Sequence, residues 1–344
     1  MQEHHDGRRR ATGLLRAFIL GEIEHKQDVP VTLLPMNDNC TASAATPDSV
    51  SVDQVADFWS QAPCGSQTSD AADRRTYFRE IEERRYRNEP HIPEVARFGD
   101  FAGQRVLEVG CGVGTDGRQF AKAGANYKGI NLDEGSTQLA QEAFQLFGLP
   151  GTVLQKDAEA LDFDDNSFDH VYSFGVIHHS PNTETIVQHM YRVLKPGGTL
   201  TVMVYNRDSI NYRLEIMVLR KIMRYALWPS FAPRWISAVL KLERDKLERH
   251  RQIMMQESMT AERWLSINTD GPDCPLAKVY SASEAKRMFR DAGFDRISTC
   301  VRFFDARHFG RLGRLLPVSV VKCLGEKAGW HLMVFARKPS EPSQ

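Results

Sequence analysis

Arg105-Val106-Leu107-Glu108-Val109-Gly110-Cys111-Gly112-Val113-Gly114-Thr115 is the stretch whose reading decides the fold. A short apolar run reads as a strand, the glycines as a sharp turn, and the residues that follow as the start of a helix. Glycine lets the backbone bend tightly and approach a ligand without a Cβ in the way. Gly112, Gly114 and Gly117 also spell G-x-G-x-x-G, the dinucleotide fingerprint. In that fingerprint the first glycine follows the strand directly, because the pyrophosphate sits on the helix N-terminus. Here Glu108 and Gly110 come first. A carboxylate repels a pyrophosphate and attracts an ammonium, which favours a ligand carrying a cationic group. The bare alternative, a tight turn with no ligand, ranks third.

Outward from this stretch the pattern alternates. Strands are expected at about 105–109, 127–132, 152–156, 170–174 and 199–205, with helices near 117–123, 135–147 and 183–194 between them. Gly124, Gly148 and Lys195-Pro196-Gly197-Gly198 stop those helices. Alternation of this kind predicts an α/β fold with a parallel sheet covered on both faces. The pattern changes after residue 205. Residues 206–280 are rich in Arg, Lys, Met, Leu and Trp, and read as helices broken at Pro229, Pro233 and Gly271-Pro272. A helix at 283–292 and strands near 297–303 and 331–336 resume the core.

Lys plus Arg and Asp plus Glu are both 44 in 344 residues, which removes any global electrostatic case for nucleic acid. Six cysteines are scattered with no C-x-x-C and no histidines at zinc spacing. This suits a reduced, cytoplasmic setting and predicts no metal site. No run is long and apolar enough to span a bilayer. Residues 1–50 read as a disordered extension, with a second candidate start at Met36. The division expected is therefore 1–50 extension, 51–100 helical cap, 101–205 core, 206–280 lid and 281–339 the rest of the core sheet.

Five segments in order now carry a resemblance. They are Glu108-x-Gly-x-Gly-x-Gly, Gly129-Ile130-Asn131-Leu132-Asp133, Lys156-Asp157-Ala158, Ser167-Phe168-Asp169, and Arg192-Val193-Leu194-Lys195-Pro196-Gly197-Gly198. Together they resemble the class I S-adenosylmethionine (SAM) methyltransferases, in the broad group that includes the ubiquinone and menaquinone enzymes. The resemblance implies a Rossmann-like seven-stranded sheet with an antiparallel last strand. It implies SAM as cofactor, with Glu108, Gly110, Gly112 and Gly114 at its methionyl part. Asp157 and the Ala158 amide should meet the adenine, and Phe174 and Gly175 the sulfonium side. Asp157 as a mere turn cap is the weaker alternative. At the end of the second strand the family has Asp or Glu on the ribose, where this chain has Asn131. An amide has one acceptor oxygen and no charge, so a weaker ribose grip is expected, with Asp133 left as a helix cap.

Gly175-Val176-Ile177-His178-His179-Ser180-Pro181 follows the fourth strand, where the family places the transferable methyl. His178 or His179 is the expected base, since histidine can take a proton near neutral pH. The bland reading, one histidine packed and the other in solvent, stands at even odds. The implied activity is methyl transfer to a small or lipophilic molecule at oxygen, carbon or nitrogen. A protein or RNA methyltransferase is the alternative; a nicotinamide oxidoreductase and a non-catalytic SAM-binding subunit are remote ones. The apolar and basic lid allows peripheral membrane contact or a greasy pocket, and equally a plain packing layer. The sequence names neither the acceptor nor an oligomeric state.

Overall fold

The computed structural model describes residues 50–61, 63–240, 244–255, 260–271, 273–304 and 315–340. The expected extension, Val50 apart, lies outside these residues, and so does the Met36 start. Chain order begins with α1 (Val52–Gln61), α2 (Arg74–Asn88) and α3 (Ile92–Ala96), the expected cap. The core follows as β1 (Arg105–Val109), α4 (Thr115–Lys122), β2 (Asn126–Asn131), α5 (Glu134–Phe147), β3 (Thr152–Gln155), β4 (Phe168–Phe174), α6 (Thr183–Val193) and β5 (Leu194–Asn206). A π-helix at Asn211–Leu219 runs into α7 (Arg220–Ala226), and α8 (Ala232–Leu240), α9 (Arg244–Met254) and α10 (Ala261–Thr269) complete the insertion. Last come β6 (Val279–Tyr280), α11 (Ala282–Asp291), β7 (Asp295–Arg302), α12 (Val318–Ala328) and β8 (His331–Arg337).

The main sheet runs β3-β2-β1-β4-β5-β8-β7. β1 to β5 are parallel neighbours, and β8 is antiparallel to both β5 and β7. The expected seven strands with an antiparallel last one are all present. The sequence reading missed β6, two residues that pair parallel to the end of β5 beside the main path. So short a strand has no period to read. The β1 side chains alternate between two buried clusters, Leu107 and Val109 on one face and Val106 on the other. That is the two-faced burial a parallel sheet requires. The order reverses between β1 and β4, so the crevice at their carboxyl ends is where a ligand is bound in such sheets.

Several ion pairs bind the cap to the core, three of them through arginines packed at the seam. Arg74 makes a forked contact to Glu142 of α5, at 2.6 Å on each arm. The guanidinium of Arg118 in α4 is wholly buried, stacks against Phe78 and Phe147, and reaches Glu82 at 3.0 Å. Arg85 grips Asp116 with two bonds of 2.9 and 2.7 Å. Asp116 also accepts from Tyr86 and from Tyr172 of β4, each at 3.0 Å. This one carboxylate, 2% exposed, therefore joins cap, glycine loop and sheet.

In the lid the π-helix has a local cause. The Arg220 amide donates to the Glu215 carbonyl, five residues back, and the two side chains form a buried pair at 2.7 Å. Asn211 adds a bond of 2.9 Å to the same carboxylate. Ile216, Leu227, Ile236, Leu247, Trp264 and Leu265 close a separate small core beneath it.

Asp116→Ala should lower the unfolding free energy by about 3 kcal/mol, the low end for breaking a buried pair because Arg85 keeps some solvent. Urea titration reads this; a loss below about 1 kcal/mol, the worth of a surface pair, would show that the cap is held elsewhere.

Candidate functional site

The glycine loop is pinned from two sides. Gly110 has φ of 76°, and a Cβ there would overlap both methyls of Val176, so the loop after β1 presses against the loop after β4. Gly112 has φ of 53° and open space where its Cβ would be. Its backbone is clamped by Asn131, whose Oδ1 accepts from the Gly112 amide at 2.8 Å while its Nδ2 donates to the Gly112 carbonyl at 2.9 Å. Gly112 thus presents a bare backbone face to the crevice, a cradle that any side chain would fill. Gly114 lies against Ala140 at the start of α4. Next to it the Thr115 hydroxyl is buried without a hydrogen-bond partner. A bare loop and an orphaned hydroxyl at a helix N-terminus fit a polar ligand laid along the loop.

Several expected roles change on this geometry. One bond from each end of the Asn131 amide goes to Gly112, so the side chain shapes the loop. An aspartate could not copy this, since it has no N–H. Asp133 caps α5 at 2.6 Å, as expected. Asp157 caps the 3₁₀ turn at Ala158–Ala160 by accepting from the Glu159 amide at 2.7 Å, the reading the sequence ranked lower. Its other oxygen and the Ala158 amide sit at the end of β3.

Glu108 is nearly enclosed. It is 3% exposed and accepts from Tyr127 at 2.6 Å beneath the loop. Burial, and then the charge of Asp116, push its carboxyl up to about 8, against the opposing pull of Tyr127 and Arg85. The Tyr127 hydroxyl passes so close to Gly117 that a Cβ there would clash. The third glycine of the dinucleotide spelling is therefore a packing residue.

The far wall of the crevice is built by Phe174, Gly175 and the residues after them. Phe174 packs edge-on to His331, with Arg85 over its ring at 5.2 Å. His331 meets His91 of the cap at 3.0 Å. Burial first, then Arg85 and Arg302, push His91 down to about 4. The two candidate bases differ sharply. His178 is fully buried against Tyr205, ring centroids 3.9 Å apart, and neither ring nitrogen has a partner. Burial, helped by His179 and His331, holds it well below the usual histidine range, so it resists protonation. His179 has its Nδ1 2.7 Å from the Leu276 carbonyl, which places the proton on Nδ1 and leaves Nε2 with a bare lone pair. That Nε2 lies 3.8 Å from Oδ2 of Asp270.

Asp270 went unnoticed in the sequence. It follows α10 at the end of the lid, accepts from the Tyr205 hydroxyl at 2.8 Å through Oδ1, and keeps Oδ2 buried without a donor. Tyr205 stacks on Trp330 at 4.4 Å, and Trp59 of α1 packs edge-on to His179. Cap, loop and lid thus converge on one space. A cavity of about 510 Å³ between the cap and α5, lined by Ser66, Tyr77, Gly135 and Glu142 among others, shares none of the expected cofactor residues.

Among the described residues, donor atoms of His179, Asp270 and Cys274 lie within 4.8 Å of one another, a spacing that could admit a metal ion. The Cys274 thiol donates to the Leu276 carbonyl at 3.5 Å. A metal ion would displace that proton, whereas without one the two acceptor atoms of His179 and Asp270 suit a proton donor between them.

With the geometry in place, comparison with known proteins defines the class. Residues 107–202 match the family described as "Methyltransferase domain". A Haloferax volcanii complex of the Trm112 methyltransferase activator with a methyltransferase shares the fold, with a TM-score of 0.51 at 16% identity over 86% of this chain and 100% of that one. The chain carries a class I SAM-dependent methyltransferase domain, whose cofactor is S-adenosylmethionine. Phosphoethanolamine N-methyltransferase 2 of Caenorhabditis elegans is 36% identical over 33% of this chain and 26% of its own length. Sterol 24-C-methyltransferase of Yarrowia lipolytica is 38% identical over 31% and 29%. Phthiotriol/phenolphthiotriol dimycocerosates methyltransferase of Mycobacterium leprae is 32% identical over 44% and 57%. The chain thus spans about a quarter to just over half the length of these relatives.

Two predictions follow from the loop. Gly110→Ala should unfold the chain or lower its Tm sharply, because Val176 cannot retreat, whereas Gly112→Ala should cost only about 1 kcal/mol, from its positive φ. Gly112→Ala should nonetheless abolish binding of S-adenosylhomocysteine in equilibrium dialysis; retained affinity would move the ligand off the loop. Separately, the raised Glu108 carboxyl means that the folded chain holds a proton that the unfolded chain releases near pH 4.5. Its contribution to stability is therefore complete at low pH and is lost as pH rises from about 4.5 through about 8. Glu108→Gln keeps a group for Tyr127 and should flatten Tm against pH across that window. An unchanged slope would assign the titration to other groups.

Proposed function

We propose that this chain transfers a methyl group from SAM to a small, lipophilic molecule bearing a hydroxyl or amine. The observation that carries the reading is the pair of acceptor atoms His179 Nε2 and Asp270 Oδ2, 3.8 Å apart, with no donor to either among the described residues. Two such atoms call for a proton-bearing group between them. The relatives named for phosphoethanolamine, sterol and phthiotriol substrates support a small or lipophilic acceptor.

In this reading the loop Gly110–Gly114 carries the methionyl end of the cofactor. The free oxygen of Asp157 and the Ala158 amide meet the adenine, and Phe174 and Gly175 line the sulfonium side. Bound there, SAM supplies an electrophilic methyl. Tyr205 and Trp330 hold the apolar body of the acceptor, and Trp59 closes over it. The acceptor's oxygen or nitrogen is aimed at the methyl by its bonds to His179 and Asp270. As that atom gains the methyl, its proton passes to His179 Nε2, and the Asp270 carboxylate stabilises the imidazolium formed. Tyr205 fixes the carboxylate, and the Leu276 carbonyl fixes the imidazole tautomer. His178, neutral and packed, shapes the wall rather than moving the proton. The cap, core and lid divisions expected from the sequence then correspond to a cofactor cover, a cofactor platform and an acceptor cover.

Full-length protein incubated with methyl-labelled SAM and a cellular lipid and metabolite extract should label a small molecule, read by mass spectrometry. His179→Gln and Asp270→Asn should each cut its turnover by ~10²–10⁴-fold with S-adenosylhomocysteine binding intact, and His178→Asn much less. Near-normal turnover in both the His179 and Asp270 variants would refute the proton path. Label appearing only in protein or RNA would refute the acceptor class.

A further inference from the structure

The lid has two apolar faces, and only one is buried. Leu214, Val218, Ile222 and Tyr225 recur at intervals of four, four and three, so they share one face of the continuous helical stretch 211–226. All four are exposed, Tyr225 at 71%. Trp228, Phe231 and Trp235 continue the exposed series across the turn and onto α8, at 54, 68 and 62%. On α8 the opposite side, Ala232 and Ile236, is the one buried in the lid core. A soluble surface rarely spends this much aromatic and aliphatic area on water without a partner.

Charge identifies that partner. Residues 216–242 contain Arg220, Lys221, Arg224, Arg234 and Lys241 and no Asp or Glu. Arg220 is spent on Glu215 inside the lid. Lys221 and Arg234 are exposed and make no ion pair with any described residue, and Arg224 touches only the Trp264 ring, 6.0 Å away. An apolar stripe rich in Trp, Tyr and Phe, flanked by free cations, matches the interface of an anionic bilayer. Self-association fits poorly, because a two-fold contact would set these cations against their own copies. Among the described residues no helix is long and apolar enough to cross a membrane, so the contact would lie in the interface plane.

We propose that the outer face of the lid, Leu214 to Trp235, docks on the surface of an anionic lipid bilayer. The proposal uses none of the residues assigned to methyl transfer, so it is independent of the acceptor's identity. It also has a structural consequence: the lid core beneath packs on Tyr205 and Trp330, the acceptor side of the crevice. A lid seated on lipid therefore places that crevice next to the apolar phase.

The test uses the full chain with sucrose-loaded vesicles of phosphatidylcholine alone or mixed with phosphatidylglycerol, read by co-sedimentation. Binding is expected to the mixed vesicles, to weaken with added salt, and to be slight on phosphatidylcholine. Trp228→Ser/Phe231→Ser/Trp235→Ser and, separately, Lys221→Glu/Arg234→Glu should each reduce it at least about tenfold. Both variants replace exposed side chains, and unchanged S-adenosylhomocysteine affinity will certify their fold. No binding to mixed vesicles, or binding that both variants retain, overturns the proposal. So does a stable dimer in analytical ultracentrifugation that the aromatic variant dissolves, which would make the face a protein interface.

Discussion

Asp116 is the point on which the site depends. It begins α4 directly behind the glycine loop and accepts from Arg85 and Tyr86 of the cap and Tyr172 of the sheet. A buried carboxylate is tolerable only when its lone pairs are met by charged or hydroxyl donors. Here the donors come from two elements remote in sequence, α2 and β4. Each is thereby drawn to the same place, the underside of the crevice. The cap sits where it does because Arg85 must reach Asp116.

Burial first, and then this same charge, raise the pKa of its neighbour. Glu108 is buried beside it with only Tyr127 to satisfy it, and two buried carboxylates cannot both ionise cheaply. The acidic residue that the loop pattern displays is thus bonded to Tyr127 under the loop, with its carboxyl pushed up. Asn131 performs the fine adjustment above, holding the Gly112 peptide by both its groups. These bonds shape the loop without a ligand, which lowers the ordering cost of binding. Across the crevice the wall is less complete. His179 and Asp270 have satisfied outer bonds and unsatisfied inner ones, the pattern of groups fixed in place to receive something.

How much of this was legible in the sequence depended on the range of the interaction. The strands of the core stood out because Gly and Pro punctuate them at each end, and every core strand lies within a few residues of its expected place. The glycine loop was legible for the same reason. What pairs across long separations was not. Asp116 with Arg85 and His179 with Asp270 are 31 and 91 residues apart, and nothing in the local pattern of Asp116 or Asp270 marks either as more than a solvated charge. Asn131 looked like a weakened ribose ligand because its type was compared with a carboxylate. Its two-ended amide fits a peptide group, a partner visible only once β2 and the loop are side by side. The π-helix was hidden because a five-residue bond leaves the apolar spacing nearly helical, although Glu215 and Arg220 five apart in a hydrophobic run were its trace.

The central claim is that the bare face of the glycine loop holds SAM rather than a dinucleotide. Titration calorimetry of the full chain decides it most directly, with S-adenosylhomocysteine and a nicotinamide dinucleotide injected separately and then in competition. One S-adenosylhomocysteine bound per chain, with no heat from the dinucleotide and no displacement by it, is the expected result. Silence with S-adenosylhomocysteine together with saturable heat from the dinucleotide would contradict it.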